Sequence, residues 1–286
     1  MRKEYKKGSF TVKKPCGLNF GKKENFDEFM SSLKLPFIME DNVYIYNNVA
    51  IEYCNLLDWC DQKVKKGDLT KRSESFSKRG MRSLHIFNDE WYNRTEIVKS
   101  IIKVALGFHE RKLYARACEL KYLSKQEEKE FFNKNHLQGF SSSQYCLGLI
   151  YHGEIVSAIS MSRPRFSKET DWELIRYACK LNTTILGGFE RLLKKFRSEH
   201  PGSITTYSDR RLFSGNLYRK LFKELTPTLE DYYYTEGTVR ENRIKFQKYK
   251  LVSAFPEWEN DVEYVIANRI GWYRVWGCGN WKFKIE

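Results

Sequence analysis

The sequence has no apolar segment long enough to cross a membrane and no N-terminal secretory pattern. No apolar run approaches the roughly 20 residues that a membrane-spanning helix needs. The segment from Met1 to Lys14 is basic but has no apolar core, so we do not expect a secretory signal. These features predict a soluble, cytoplasmic protein without a membrane partner.

The sequence also has no CxxC motif. Its seven cysteines are an odd number and are widely scattered. This pattern argues against a zinc ribbon and against a disulfide framework, and a reducing cytosol fits it. We expect no haem, flavin or structural zinc.

Positive charge is what the sequence has in excess. Lys and Arg number 50 against 36 Asp and Glu, which gives a formal net charge of +14. Such an excess predicts a polyanionic partner, with nucleic acid as the first candidate and an anionic membrane surface as the second. The aromatic share of 15% favours nucleic acid, because aromatic faces stack on bases, although most such rings belong to protein cores.

Periodicity and composition divide the 286 residues into four segments. Residues 1–33 are predicted to form a basic arm that either follows a phosphate backbone or is a solvated tail. Residues 34–108 and 109–250 each show an α/β pattern of strands and helices. It includes predicted strands over 49–53, 83–87 and 113–121, a predicted short helix over 216–222, and a helix that Ser124 caps with Glu127 as a capping box. Residues 251–286 carry Trp258, Trp272, Trp276 and Trp281 with interspersed glycines, which predicts a C-terminal hairpin.

Several blocks in residues 34–121 follow one another in a family-like order. They are Val49-Ala50-Ile51-Glu52-Tyr53, Leu84-His85-Ile86-Phe87-Asn88-Asp89-Glu90-Trp91, Ile97-Val98-Lys99-Ser100 and Leu113-Tyr114-Ala115-Arg116-Ala117-Cys118-Glu119. They resemble the nuclease domain of phage homing endonucleases related to very-short-patch-repair (Vsr) endonucleases. The resemblance implies a Vsr-like domain over residues 34–108.

Such nucleases hold a divalent metal such as Mg²⁺ with clustered carboxylates. The resemblance implies that Glu52 and, in an uncertain register, Asp41 are the metal-binding and catalytic carboxylates; Glu52 as an exposed strand carboxylate is the alternative. Where the family has two histidines, this chain has Asp58-Trp59-Cys60-Asp61 and Asp68-Leu69-Thr70-Lys71. His85 lies outside both positions and is interpreted as a core histidine. The resemblance therefore implies a weak or inactive nuclease site.

The order of predicted elements over residues 113–250 resembles a Gcn5-related acetyltransferase (GNAT) fold with a mixed sheet. In that fold, backbone N–H groups at a glycine-containing helix start hold the pyrophosphate of coenzyme A. The resemblance implies an acyl-coenzyme A site at Gly187, Gly188 and Arg191, although the segment lacks the fuller Gln/Arg-x-x-Gly-x-Gly/Ala form. It also implies that Tyr218 protonates the departing thiolate; otherwise Tyr218 packs.

Polar blocks in the same region recur in the second domain of those homing endonucleases. They are Asn135-His136-Leu137-Gln138-Gly139, Tyr207-Ser208-Asp209-Arg210-Arg211, Ser214-Gly215-Asn216-Leu217-Tyr218 and Phe246-Gln247-Lys248. Their presence beside altered nuclease blocks suggests that the second domain carries the remaining function. His136 is a candidate general base or phosphate contact, and Asp209 is a further catalytic candidate.

A predicted loop around Pro164, a basic cluster near residues 210–220 and a lysine in the last polar block supply candidates for contacts with nucleic acid. These candidates are Arg163, Arg165, Arg210, Arg211, Arg219, Lys220 and Lys248. In the terminal segment 269–280, interleaved Arg and Trp residues either stack on bases or pack against the second domain.

Together, these features predict two α/β domains and a phage-type protein that binds duplex DNA, with a weak or inactive nuclease site. One alternative is an acyltransferase that modifies nucleic-acid bases with an acyl-coenzyme A or related donor. Another is a binding-only protein that targets a host protein. If the chain is phage-encoded, we expect it in the bacterial host cytoplasm.

Overall fold

The computed structural model describes residues 23–164 and 169–286, and the backbone of residues 5–7 and 10–12. It shows the predicted α/β class, with helices interspersed among several open sheets. Among the described residues, no helix combines the length and the apolar character needed to cross a membrane. Most of the predicted basic arm, and Arg165, lie outside the described residues.

The elements of the first 93 residues are short strands and helices in alternation. They are β1 (Tyr5–Lys7), β2 (Phe10–Val12), α1 (Lys23–Ser32), β3 (Ile38–Glu40), β4 (Val43–Tyr46), β5 (Val49–Cys54), α2 (Leu57–Cys60), α3 (Asp68–Lys78), β6 (Arg82–Phe87) and α4 (Asn88–Asn93).

The middle of the chain contains the longest strands. Its elements are α5 (Thr95–Ala105), β7 (Arg111–Tyr114), β8 (Glu119–Tyr122), α6 (Lys125–Asn135), β9 (Tyr145–Tyr151), β10 (Glu154–Ser162), β11 (Trp172–Cys179), β12 (Thr183–Leu186), α7 (Gly188–Glu199), β13 (Ile204–Asp209), α8 (Asn216–Arg219) and β14 (Lys223–Leu225).

The last part of the chain consists of short strands around two helices. Its elements are β15 (Tyr232–Thr235), β16 (Arg240–Asn242), α9 (Lys248–Ala254), α10 (Glu263–Arg269), β17 (Tyr273–Trp276) and β18 (Asn280–Ile285). Short 3-10 helices cover Ala115–Ala117, Arg243–Phe246 and Pro256–Trp258.

The chain divides into two compact units, each built from separate stretches. The first unit comprises residues 1–93 and 229–279, and the second comprises residues 94–228 and 280–286. These divisions fall at other positions than the predicted boundaries after residues 33, 108 and 250. Helix α5, for example, belongs to the second unit, where the Ser100 hydroxyl accepts a hydrogen bond from the Asn182 amide at 3.0 Å.

The first unit contains a four-stranded sheet in the order β3-β4-β5-β6. Strands β3, β4 and β5 are antiparallel, whereas β5 and β6 run parallel. The β-branched and aliphatic residues of β5 suit a buried central strand. Residues 23–32 were predicted as part of an arm but form α1, because Phe26 and Met30, four residues apart, present one apolar face that is fully buried.

The predicted C-terminal hairpin is wrong. Strand β17 pairs with β15 in a three-stranded sheet of the first unit, whereas β18 pairs with β13 and β14 in the second unit. The partners of both strands are therefore distant in sequence, and residues 251–269 are mostly helical. Of the four tryptophans that suggested a hairpin, only Trp258 and Trp272 pack against the local core that includes Tyr234 and Ile266.

The second unit is built on a seven-stranded sheet in the order β14-β18-β13-β11-β10-β9-β8. All neighbours are antiparallel except β11 and β13, which pair in parallel over only Trp172–Leu174 and Ile204–Thr206. Beyond these three pairs, in this fully described stretch, no pairing joins β11 to β13. The two strands therefore part after a short contact, and α7 packs its apolar face on the core of this sheet.

Local sequence signals in the second unit predict some features correctly and other elements with the wrong bounds. Ser124 caps α6, and its side chain forms the predicted capping box with Glu127. The predicted strand 113–121 is instead interrupted by the 3-10 turn Ala115–Ala117. The predicted helix from Asn216 to Phe222 is shorter and ends at Arg219.

Candidate functional sites

Glu52 lies on β5 beside His85 on the parallel strand β6, and the two residues face each other in register. The Glu52 side chain is 10% exposed and that of His85 is completely buried. Glu52 Oε2 lies 2.7 Å from His85 Nδ1. Its other carboxylate oxygen, Oε1, pairs with the guanidinium of Arg72 from α3. Both oxygens of the predicted catalytic carboxylate are therefore engaged by side chains of its own unit.

A line of hydroxyl groups continues from the far side of the His85 ring. Ser73 Oγ lies 2.8 Å from His85 Nε2, and the Ser83 hydroxyl donates to Ser73 Oγ at 3.0 Å. If Ser73 donates to Nε2, the His85 proton is on Nδ1 and is donated to Glu52. The hydrogen bonds at both ring nitrogens hold the His85 imidazole in one orientation.

The environment of Glu52 has opposing effects on its pKa. Burial raises the pKa of this carboxyl group, whereas the hydrogen bond from His85 and the contacts with Arg72 lower it. The net result is a pKa below the ordinary value of 4.5. Glu52 is therefore an anion at neutral pH, and its charge is balanced by Arg72.

The predicted partnership between Glu52 and Asp41 does not form a metal site in this structure. Asp41 is exposed in the turn between β3 and β4, with a positive φ of 44°. Among the described residues, the group whose ligand atoms lie within 4.8 Å of one another consists of Glu52, Cys54 and His85. Mg²⁺ prefers an all-oxygen ligand set, and here one oxygen of the single carboxylate already pairs with a guanidinium. These residues do not fit Mg²⁺.

Asp209 is the last residue of β13 and pairs with a residue only two positions away. Its Oδ1 accepts from the Arg211 backbone amide at 2.9 Å, and its Oδ2 accepts from Arg211 Nη2 at 3.1 Å. The Arg211 side chain is 5% exposed. This predicted pair of a catalytic acid and a phosphate-binding arginine therefore forms a largely buried internal ion pair.

Tyr218 on α8 lies among aromatic side chains. Its ring is 5.3 Å from that of Phe189 and 5.4 Å from that of Phe283. Burial raises the pKa of Tyr218 to about 12, although its hydrogen bond with Thr206 and the charge of Arg176 lower it. The hydroxyl is therefore protonated at neutral pH, as a proton donor must be.

His136 forms the C-cap of α6. Burial, with a smaller contribution from the charge of Arg176, lowers its pKa to about 3. Its Nδ1 accepts a hydrogen bond from the backbone N–H of Gln138 at 3.2 Å. The ring is neutral at physiological pH, so an attractive charge–charge contact with a phosphate is excluded there.

Backbone conformation and close packing explain why the predicted cofactor loop has glycine at positions 187 and 188. Gly187 has a φ of +72°, and a methyl group added at Gly188 would come within 2.8 Å of Ile185 Cγ2. Arg191 donates through Nη1 to the carbonyl oxygens of Ala115 and Cys118. Both carbonyl groups belong to the 3-10 turn Ala115–Ala117 or to its C-cap, Cys118. The first backbone amides of α7 have no hydrogen-bond partner within the helix, as at the start of any α-helix.

The basic candidates differ in whether a carboxylate accompanies them. Arg219 pairs with Glu224, and Arg163 lies 4.0 Å from the centre of the Trp172 ring while donating to the Asp171 carbonyl. Arg210 lies over the Trp281 ring at 4.7 Å. Within the described part of the chain, Arg210, Lys220 and Lys248 make no ion pair.

Sequence reasoning missed the partners of the acidic residues. Neither Arg72 nor Arg240 was singled out, yet Arg240 binds the buried carboxylates of Asp89 and Glu90. Parallel pairing of β5 and β6 would have placed Glu52 beside His85, so a signal existed for that contact. No local signal indicates that residue 240 pairs with residue 89.

A scan against protein-family models matches none of them, and a search of curated proteins finds no significant match.

Proposed function

We propose that this protein binds duplex DNA and does not cleave it through Glu52. The proposal combines the resemblance of the sequence blocks to phage homing endonucleases with the net charge of +14. The observation that carries it is the state of the basic side chains in the second unit. Arg210 and Lys220 make no ion pair among the described residues, so their charge remains available to phosphates.

The absence of cleavage follows from the surroundings of Glu52. A metal-dependent nuclease needs carboxylate oxygens that are open to the metal and to the phosphate. Here Arg72 and His85 engage both oxygens of Glu52, and Asp41 lies on an exposed turn. The nuclease-like unit is then a scaffold, and DNA binding does not depend on a divalent metal.

The test measures binding to short duplex DNA across a salt series, followed by incubation with Mg²⁺ or Mn²⁺. We expect affinity to fall steeply with salt, because each released counterion contributes to the slope. The double variant Arg210→Gln/Lys220→Gln should lower that slope by up to about 1.8. Lys195→Gln is the matched control, because Lys195 lies in the same unit but pairs with Glu199.

Two outcomes would contradict the proposal. Salt-independent or absent binding would remove the DNA-binding function. Specific, metal-dependent cuts that Glu52→Ala abolishes would show that Glu52 acts as a nuclease carboxylate despite its partners.

The short pairing between β11 and β13 favours a second function, acyl transfer to a nucleic-acid base. Their parallel pairing ends at Leu174 and Thr206, and we propose that an acyl-coenzyme A donor enters the sheet where the two strands no longer pair. The donor would supply the acyl group, and its phosphates would meet the first-turn amides of α7. The amine of the base would form a bond to the acyl carbon as the carbon–sulfur bond breaks, and would lose its proton to solvent. The departing thiolate would take a proton from the hydroxyl of Tyr218, which solvent would then replace. A rise in melting temperature with acetyl-coenzyme A, lost in Gly188→Leu, would support this function. No shift would contradict it.

A further inference from the structure

A groove in the first unit combines aromatic and cationic side chains. It has a volume of about 550 Å³, and its lining includes Tyr264, Tyr273, Trp276, Lys65, Lys66 and Arg274. The volume lies within the range of small-ligand sites, roughly 300–1,000 Å³. None of the described residues that line it is acidic.

Two of the three cations that line this groove lie over aromatic rings. Lys66 Nζ lies 4.7 Å from the centre of the Trp276 ring. The Arg274 guanidinium lies 4.2 Å from the centre of the Tyr264 ring and 5.2 Å from that of Trp276. These contacts position the cations without neutralising them, since an aromatic ring carries no net charge.

No carboxylate within the described residues pairs with Lys65, Lys66 or Arg274. The neighbouring Lys63 provides a contrast, since it pairs with Asp61 at 3.0 Å and with Asp58 at 3.7 Å. Positive charge is therefore concentrated on the groove and balanced just outside it. The complementary ligand is an anion that also has a flat apolar face.

We infer that this groove binds an unpaired nucleotide in a single-stranded segment of nucleic acid. Unstacked bases stack on aromatic side chains and on guanidinium planes, and this groove offers both, since the Arg274 guanidinium lies 4.2 Å from the centre of the Tyr264 ring. Lys65 and Lys66 are exposed and are placed to contact the flanking phosphates. A base within a duplex is stacked on both faces and offers neither face to such a groove.

This inference rests on the proposed function and deepens it, because it assigns single strands to the first unit and leaves duplex contacts to Arg210 and Lys220. The experiment measures fluorescence anisotropy of a labelled oligothymidylate and of a labelled duplex, with the full chain. The variants are Lys65→Gln/Lys66→Gln, which alters exposed side chains only, and Arg274→Gln. Lys63→Gln is the control.

We expect Arg274→Gln to weaken single-strand binding about tenfold through loss of stacking. The double lysine variant should reduce the salt slope for the single strand by about 1.4, the value for two phosphate contacts. Duplex affinity should change much less in both variants, and Lys63→Gln should change neither.

Each alternative outcome is distinguishable. A wild-type protein that binds duplex but not oligothymidylate overturns the groove assignment and leaves the proposed function intact. Equal losses of affinity for both nucleic acids, or an equally large loss in Lys63→Gln, also overturn the assignment. The groove would then contribute only nonspecific electrostatic attraction. Failure to bind either nucleic acid removes the proposed function together with this inference.

Discussion

Two carboxylate sites in the first unit are each held by an arginine, but they differ in their openness to solvent. At the first, the Arg72 side chain is 39% exposed and reaches Glu52 from α3. At the second, the Arg240 side chain is 13% exposed and binds two acidic residues. Both sites come from blocks that suggested a nuclease, so their contrast separates structural from functional use of acidic residues.

At the Arg240 site, the guanidinium binds both buried carboxylates. Its Nε lies 3.0 Å from both carboxylate oxygens of Asp89, and its Nη2 lies 2.7 Å from Glu90 Oε1. The guanidinium also lies 4.3 Å from the centre of the Phe87 ring. Removing one partner from so buried an ion-pair cluster leaves the opposite charge buried and uncompensated, which destabilises the fold. Asp89 and Glu90 therefore connect the N-terminal stretch of this unit to β16.

The Glu52 site has the same chemistry with one open side. The imidazole of His85 is fully buried behind the carboxylate, whereas Arg72 meets solvent. At both sites the arginine occupies the carboxylate, so neither carboxylate is open to a metal. The position of the arginine, rather than the presence of acidic residues, decides how far the ion pair is exposed to solvent.

The largest effect is expected from Arg240→Met. It leaves Asp89 and Glu90 buried without their cation, which costs about 3–5 kcal/mol of unfolding free energy. Urea denaturation followed by fluorescence measures the change. Arg269→Ala is the control, because the Arg269 side chain is 44% exposed in its pair with Asp261 and its loss should cost about 1 kcal/mol or less. Equal losses of unfolding free energy in both variants would show that the Arg240 ion pairs stabilise the fold no more than an exposed ion pair does.

An intermediate effect is expected from Glu52→Gln. The amide keeps part of the hydrogen bonding to His85 but removes the charge that faces Arg72, so the variant should lose about 1–3 kcal/mol at neutral pH. Because the folded-state pKa of Glu52 lies below 4.5, its contribution is present above that pH and is lost as pH falls through the folded pKa.

The measurement for Glu52→Gln is the unfolding free energy of both proteins from neutral to acidic pH. The difference between them should shrink as the pH falls below about 4.5. A difference that stays constant with pH would show that the ionisation of Glu52 contributes nothing to stability.

The sequence predicted the elements around Glu52 better than their partners. Residues 49–53 and 83–87 were predicted as strands from β-branched and apolar runs, and β5 and β6 confirm them. Apolar runs of this length do not state which strands pair or in which register. The contact between Glu52 and His85 depends on both, so His85 was interpreted only as a core residue.

Contacts across long sequence separations were beyond local reasoning. The capping box of Ser124 and Glu127 is encoded within one helical turn and was predicted correctly. The bond from Arg240 to Asp89 spans 151 positions, and the last strands pair with distant partners rather than with each other. The tryptophan-rich end consequently suggested a hairpin that the molecule does not form.

The smallest effect is expected from Arg72→Gln, and a double-mutant cycle with Glu52→Gln isolates it. Because Arg72 is 39% exposed, water replaces part of the lost interaction, and the coupling energy should be about 1 kcal/mol. A cycle between Arg240→Met and Asp89→Asn should give a clearly larger coupling, since the Asp89 side chain is only 10% exposed. If the Arg72–Glu52 coupling energy equals or exceeds the Arg240–Asp89 coupling energy, Arg72 stabilises the fold as much as Arg240 does. The contrast between a buried site and a solvent-exposed site then does not hold.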